Sequence, residues 1–96
     1  MSESEESTLD LLVERIRQHD ADALVRFIEL RKPQLLAFIR RSISDVLASR
    51  IEAEDILQEA SFSAVSSLEE MDLSERDPFG WMCHLCERKI IDAHRH

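Results

Sequence analysis

A chain of 96 residues with one glycine, two prolines and no tyrosine makes a single small domain and lacks the turn residues that a sheet of hairpins needs, so the expected fold class is all-α, a compact bundle of four to five helices. A net charge of −8 opposes unaided binding to nucleic-acid phosphates. No apolar run approaches the roughly 18 residues of a membrane span, which points to a cytoplasmic protein with no membrane partner.

Residues 1–7 are rich in serine and glutamate and read as a disordered acidic leader, where a signal peptide would be basic and then apolar. The domain proper is expected over residues 8–96. Ser7 and Asp10 have capping-box spacing ahead of a first helix that carries Leu9, Leu12, Val13 and Ile16 at helical intervals and ends near His19. Asp20 is the expected N-cap of a second helix, in which Leu24, Phe27 and Ile28 recur at three and four. Pro33 predicts a restart, because proline suits a helix's first position and disrupts its interior. The third helix would then place Leu35, Leu36, Ile39, Ile43 and Val46 or Leu47 on one stripe, with Arg40 and Arg41 on its flank.

Ser49 and Glu52 satisfy a capping box before an acidic helix, while Glu54 and Asp55 equally suit a first turn that begins slightly later. This helix is predicted to run through Leu68, with Ile56, Ala60, Ala64 and Leu68 spaced to face a core. A charged stretch follows. Asp77 and Pro78 then supply an N-cap carboxylate and a first-position proline for a last helix that runs to the chain end.

The acidity is local. Residues 1–50 hold nine acids and eight bases and residues 78–96 hold two acids and three bases, whereas residues 51–77 hold nine acids against one base. One helix and the loop after it therefore account for the net charge, which suits a basic protein partner. Within that helix Asp55, Gln58, Glu59 and Phe62 recur at i, i+3, i+4 and i+7 and so share a face. Three readings stay open: a partner-binding surface, a solvated face with Phe62 turned partly inward, or a carboxylate pair for proton transfer or metal binding that would need matching groups from a second helix.

Cys83 and Cys86 sit too close in sequence for a useful disulfide, consistent with a reducing compartment. With His84, His94 and His96 they invite a zinc site, but two sulfurs on one helix still lack a supporting second pair. The plainer expectation is a buried Cys86, a partly exposed Cys83 and surface histidines, with no metal and no cofactor. Trp81 is either a core anchor or a wedge for DNA. Lys89 falls on the more apolar side of the helix and would have to snorkel, with Ile91 nearly opposite.

The acidic Ala-Glu-Asp-Ile-Leu-Gln-Glu run of residues 53–59, followed by Trp81, Met82, Leu85, Ile91, Asp92 and Arg95 in the last helix, resembles region two of bacterial sigma factors, most closely the extracytoplasmic-function (ECF) group. Residues 20–43 look like the two preceding helices of that domain, so the resemblance covers roughly residues 9–96. The resemblance implies a non-enzymatic role in transcription initiation. It gives Asp55, Gln58 and Glu59, with Phe62 on the same face, the contact with the coiled coil of the largest subunit of core RNA polymerase. It gives residues 68–77 the capture of an unstacked base from the nontemplate strand of the promoter −10 element. Arg88, Lys89 and Arg95, together with Arg76 and Trp81, become the expected DNA contacts, and an anti-sigma protein is a candidate partner. Glu87-Arg88 stands where many members have Arg-Asn, and Ser63 and Val65 stand where arginine and tryptophan are frequent. The second, −35-reading domain expected of such a factor is not among these 96 residues. The other reading is a helical adaptor that binds polymerase without promoter recognition.

Overall fold

The computed structural model describes residues 2–95, with side chains from residue 7 onward. The described residues form five α-helices: α1 Ser2–Arg17, α2 Ala21–Ser42, α3 Asp45–Ala48, α4 Ala53–Ser67 and α5 Pro78–His94, with a 3-10 turn over Leu68–Glu70. Helix α2 is the spine, packing against α1, α4 and α5, while α4 and α5 also pack on each other. No described helix is long and apolar enough to cross a membrane. Met1 of the expected leader and His96 of the expected zinc set lie outside the described residues.

Helix α1 starts at Ser2 instead of at Ser7, so the capping box predicted at Ser7 and Asp10 falls inside a helix. Glutamates are good helix formers and suit a helix's first turns, where the macrodipole is positive. The helix buries Leu12 and Ile16 against α2 and ends where predicted, at Arg17. Its end is a Schellman motif: the Asp20 N–H donates to the Arg15 carbonyl at 3.0 Å and the His19 N–H to the Ile16 carbonyl at 2.9 Å. The geometry demands a left-handed residue, usually glycine, yet His19 takes it with φ of 66°. For a residue with a Cβ that conformation costs roughly 1–2 kcal/mol.

Asp20 caps α2 as predicted, its carboxylate accepting from the Ala23 N–H at 3.2 Å. The predicted restart at Pro33 does not occur, and α2 is continuous through it. Pro33 is exposed, so the carbonyl deprived of a partner one turn earlier faces water, and the apolar register holds across it: Leu24 and Ile28 before, Leu35 and Ile39 after, all buried. Burial of both halves of one stripe outweighs the proline's interior cost of about 3 kcal/mol. Pro33→Ala is accordingly expected to raise stability by about 1–3 kcal/mol, read as a higher midpoint in thermal or urea unfolding.

The third helix predicted from Pro33 onward is thus the second half of α2 plus a separate turn, α3, which Ser44 caps by accepting from the Leu47 N–H at 3.2 Å. Leu47 takes the core position, and Val46 is 71% exposed. Ser49 is no cap for α4, whose N-cap position is Glu52 with no side-chain capping bond; the Ser49 hydroxyl donates to the Val46 carbonyl at 2.7 Å. Helix α4 begins at Ala53, with Glu54 and Asp55 in the first turn, the later of the two starts that the sequence allowed. Arg40 reaches Glu54 at 3.3 Å and ties the end of α2 to this start. Ile56, Ala60, Ala64 and Leu68 are all buried, as their spacing predicts. The alanines let α4 lie close to its neighbours. Asp77 caps α5, accepting from the Phe79 and Gly80 N–H groups at 3.4 and 3.2 Å, with Pro78 at the first helical position.

Candidate functional site

Because α4 gives Ile56, Leu57, Ala60 and Ala64 to the core, its other side must carry Asp55, Gln58, Glu59 and Phe62, and all four are exposed. Phe62 is 76% exposed, so the reading that turned it partly inward is incorrect. It stands two positions from both Ala60 and Ala64, which places it across the helix from the buried alanine row. These four side chains line a groove with Ile51, Ser63 and Lys89. A large apolar ring left in water beside two carboxylates is a surface that gains by being covered, at about 1.5–3 kcal/mol for a fully buried phenylalanine side chain.

Lys89 comes from α5, half-buried, and lines the hollows between α4 and α5 beside Glu59 and Asp92. The fold therefore brings Lys89 to the acidic face, while it also shares a hollow with Arg88. Arg88 lies one hollow further along with Ser63, Ser66, Ser67 and Leu85. Arg95 is exposed at the end of α5, where its N–H donates to the Asp92 carbonyl at 3.2 Å. Arg76 lies in the loop ahead of α5 and lines a shallow depression with Glu75, Asp77, Gly80, Trp81 and His84. Trp81 borders that depression but is only 4% exposed, and most of its indole belongs to the core.

The loop between the 3-10 turn and α5 is anchored at both levels of structure. Leu68 and Leu73 are buried, while Asp72, Ser74, Glu75, Arg76 and Asp77 are exposed. Asp72 accepts from the Ser74 hydroxyl at 2.7 Å and from the Ser74 N–H at 3.1 Å, and these bonds hold its carboxyl below the ordinary carboxylate range. The sequence contained no signal for the next contacts. The His19 imidazole donates from Nε2 to the Met71 carbonyl at 2.6 Å, and Arg17 donates from Nε to the Leu73 carbonyl at 3.3 Å. The end of α1 thus holds a loop more than fifty residues away in sequence. Arg31 stacks over the Phe79 ring at 4.8 Å, securing the first turn of α5 to α2.

Cys86 is buried and Cys83 half-buried, as expected. Burial pushes the Cys86 thiol up to about 12, and burial first, then Asp77, raises Cys83. Both shifts disfavour the thiolate that metal binding or redox exchange requires. Among the described residues no cluster of three or more histidine, cysteine or acidic side chains could hold a metal ion.

The family model described as Sigma-70 region 2 matches residues 27–96. That span takes in most of α2 and all of α3, α4 and α5, and with them the acidic groove and the loop, but not Arg17 or His19. No curated protein and no solved structure gave a significant match.

Proposed function

Since the chain belongs to the sigma-70 region 2 family, we propose that it docks on core RNA polymerase through the α4 groove and engages the promoter −10 element through the loop and α5, as a domain of an ECF-type sigma factor. The observation that supports this best is the exposure of Asp55, Gln58, Glu59 and Phe62 on one face with the core taken up behind them. A basic coiled coil would meet the carboxylates of Asp55 and Glu59 and, one turn beyond them, the uncovered phenyl ring of Phe62. Electrostatics would steer the encounter, and the ring would supply the desolvated centre.

The DNA side needs little intrinsic affinity once polymerase supplies most of the binding energy. Single-stranded DNA is held by stacking and base-edge hydrogen bonds together with modest positive charge. Arg88, Arg95 and Arg76 are placed to contribute that charge from exposed positions. One observation favours the adaptor reading: the stretch after α4 holds Glu69, Glu70, Asp72, Glu75 and Asp77 against Arg76 alone, and Lys89 faces carboxylates.

Binding of a fluorescent single strand that carries a −10 element, measured with the chain and core polymerase together, separates the two. Sequence-dependent retention of the strand is expected, and polymerase binding without it would establish the adaptor. In the same assay Arg88→Ala should weaken the strand's binding several-fold across sequences and reduce the salt slope by about one ion, with core affinity unchanged.

A further inference from the structure

We propose that Arg17 and His19 are positioning residues that preset the backbone of the loop at Met71 and Leu73, so that the junction of α1 and α2 governs which single-stranded bases the loop accepts. The inference rests on the promoter reading above. It begins from the left-handed residue at position 19. A Schellman motif is served best by glycine, and this junction carries a histidine instead. The imidazole that accompanies the unfavourable backbone spends its Nε2 hydrogen on the Met71 carbonyl at 2.6 Å, which also fixes the ring's tautomer when neutral. Strain kept at a site where the side chain makes a long-range bond is what a positional role predicts.

The second bond makes a device of the pair. Arg17 closes α1, and its guanidinium reaches the Leu73 carbonyl, which also accepts the Arg76 N–H at 3.3 Å. Two carbonyls that flank Asp72 are thereby held from the same helix end, while Leu68 and Leu73 fix the apolar side of the loop. What remains exposed is the outer rim, residues 74–77, which leads directly into the depression at Gly80, Trp81 and His84. A single-stranded base brought there would meet a rim whose backbone is already set, which lowers the ordering cost of capture. Both tethering residues precede the matched span 27–96, while the carbonyls they hold lie inside it, so the family model does not cover the donor side of the tether.

The test uses the whole chain bound to core polymerase. A single-stranded DNA pool randomised over a short window is retained on the complex and sequenced, with amide hydrogen exchange across the loop measured on the chain alone. His19→Gly removes the imidazole while easing the backbone at φ of 66°, so loss of function cannot be put down to a misfolded junction. Arg17→Met removes the guanidinium and keeps the stem. Both variants are expected to keep core affinity, to exchange the loop amides about tenfold faster, and to lose about tenfold in enrichment of the selected sequence. His19→Gln, which keeps a donor at similar reach, should restore most of that enrichment. Undiminished enrichment in His19→Gly and Arg17→Met overturns the inference, as does a loss of enrichment matched by an equal loss of core affinity. A wild-type complex that enriches no sequence overturns the promoter reading itself, and the role of the tether in selection falls with it.

Discussion

Reversing Asp55 and Glu59 to lysine is expected to reduce association with core RNA polymerase by at least about 100-fold while the chain stays folded. Both carboxylates are exposed and line the groove beside Phe62, and the core of α4 is built from Ile56, Leu57, Ala60 and Ala64 on its other side. The double reversal turns attraction into repulsion at two points of a basic partner, and like charges brought together at an interface cost several kcal/mol. Its intramolecular penalty is smaller. Asp55 lies in the first turn of α4, where an acid gains about 0.3–1 kcal/mol from the helix dipole, and Glu54, with its Arg40 partner, remains. Circular dichroism and a thermal melt would confirm the fold, and co-purification or fluorescence anisotropy with core would read the affinity. Undiminished binding by the folded variant would remove the groove as the docking surface.

Trp81→Ala is expected to destabilise the domain by about 3–5 kcal/mol, against a total near 5–10 kcal/mol for a chain of this size. At about 5 °C per kcal/mol the melting temperature would fall by roughly 20 °C. The indole is 4% exposed and sits in the first turns of α5, where Pro78 and Met82 are also buried. Removing it empties the junction between the loop and the helix that follows it. A wedge for DNA behaves otherwise: its loss would spare the melt and abolish strand binding. Trp81→Phe, which keeps an aromatic ring in the same space, separates the cases further and should retain most of the stability. A Trp81→Ala chain that melts with the wild type would show that the ring is a contact and not an anchor.

Several features were legible along the chain because their signals are local. An Asp-Pro pair marks the start of α5, and Asp20 marks that of α2. The spacing of Ile56, Ala60, Ala64 and Leu68 marks the inner side of α4, and hence the outer side on which Asp55, Gln58 and Glu59 lie. Cap and period signals act within a turn or two, and neighbours in sequence are neighbours in space on that scale. The same locality misled at Pro33. Its propensity is strongly anti-helical, and only the continuity of the buried stripe on both sides explains why the helix survives. Ser49 had the spacing of a cap, yet its hydroxyl found a nearer carbonyl in α3.

By itself, then, the sequence determined an all-helical chain, the acidic face of α4 and its orientation relative to the core, the first turn of α5, and a resemblance that the family match bears out at the level of region two. The tertiary structure decided what those parts meet. It left Phe62 in water, moved Lys89 into the groove of Asp55 and Glu59, and withdrew Trp81 into the core. It also bound Met71 and Leu73 to the end of α1. The reason is the range of the interactions: periodicity states which side of a helix is apolar, but a hydrogen bond between His19 and Met71 exists only once α1, α2 and the loop have packed together.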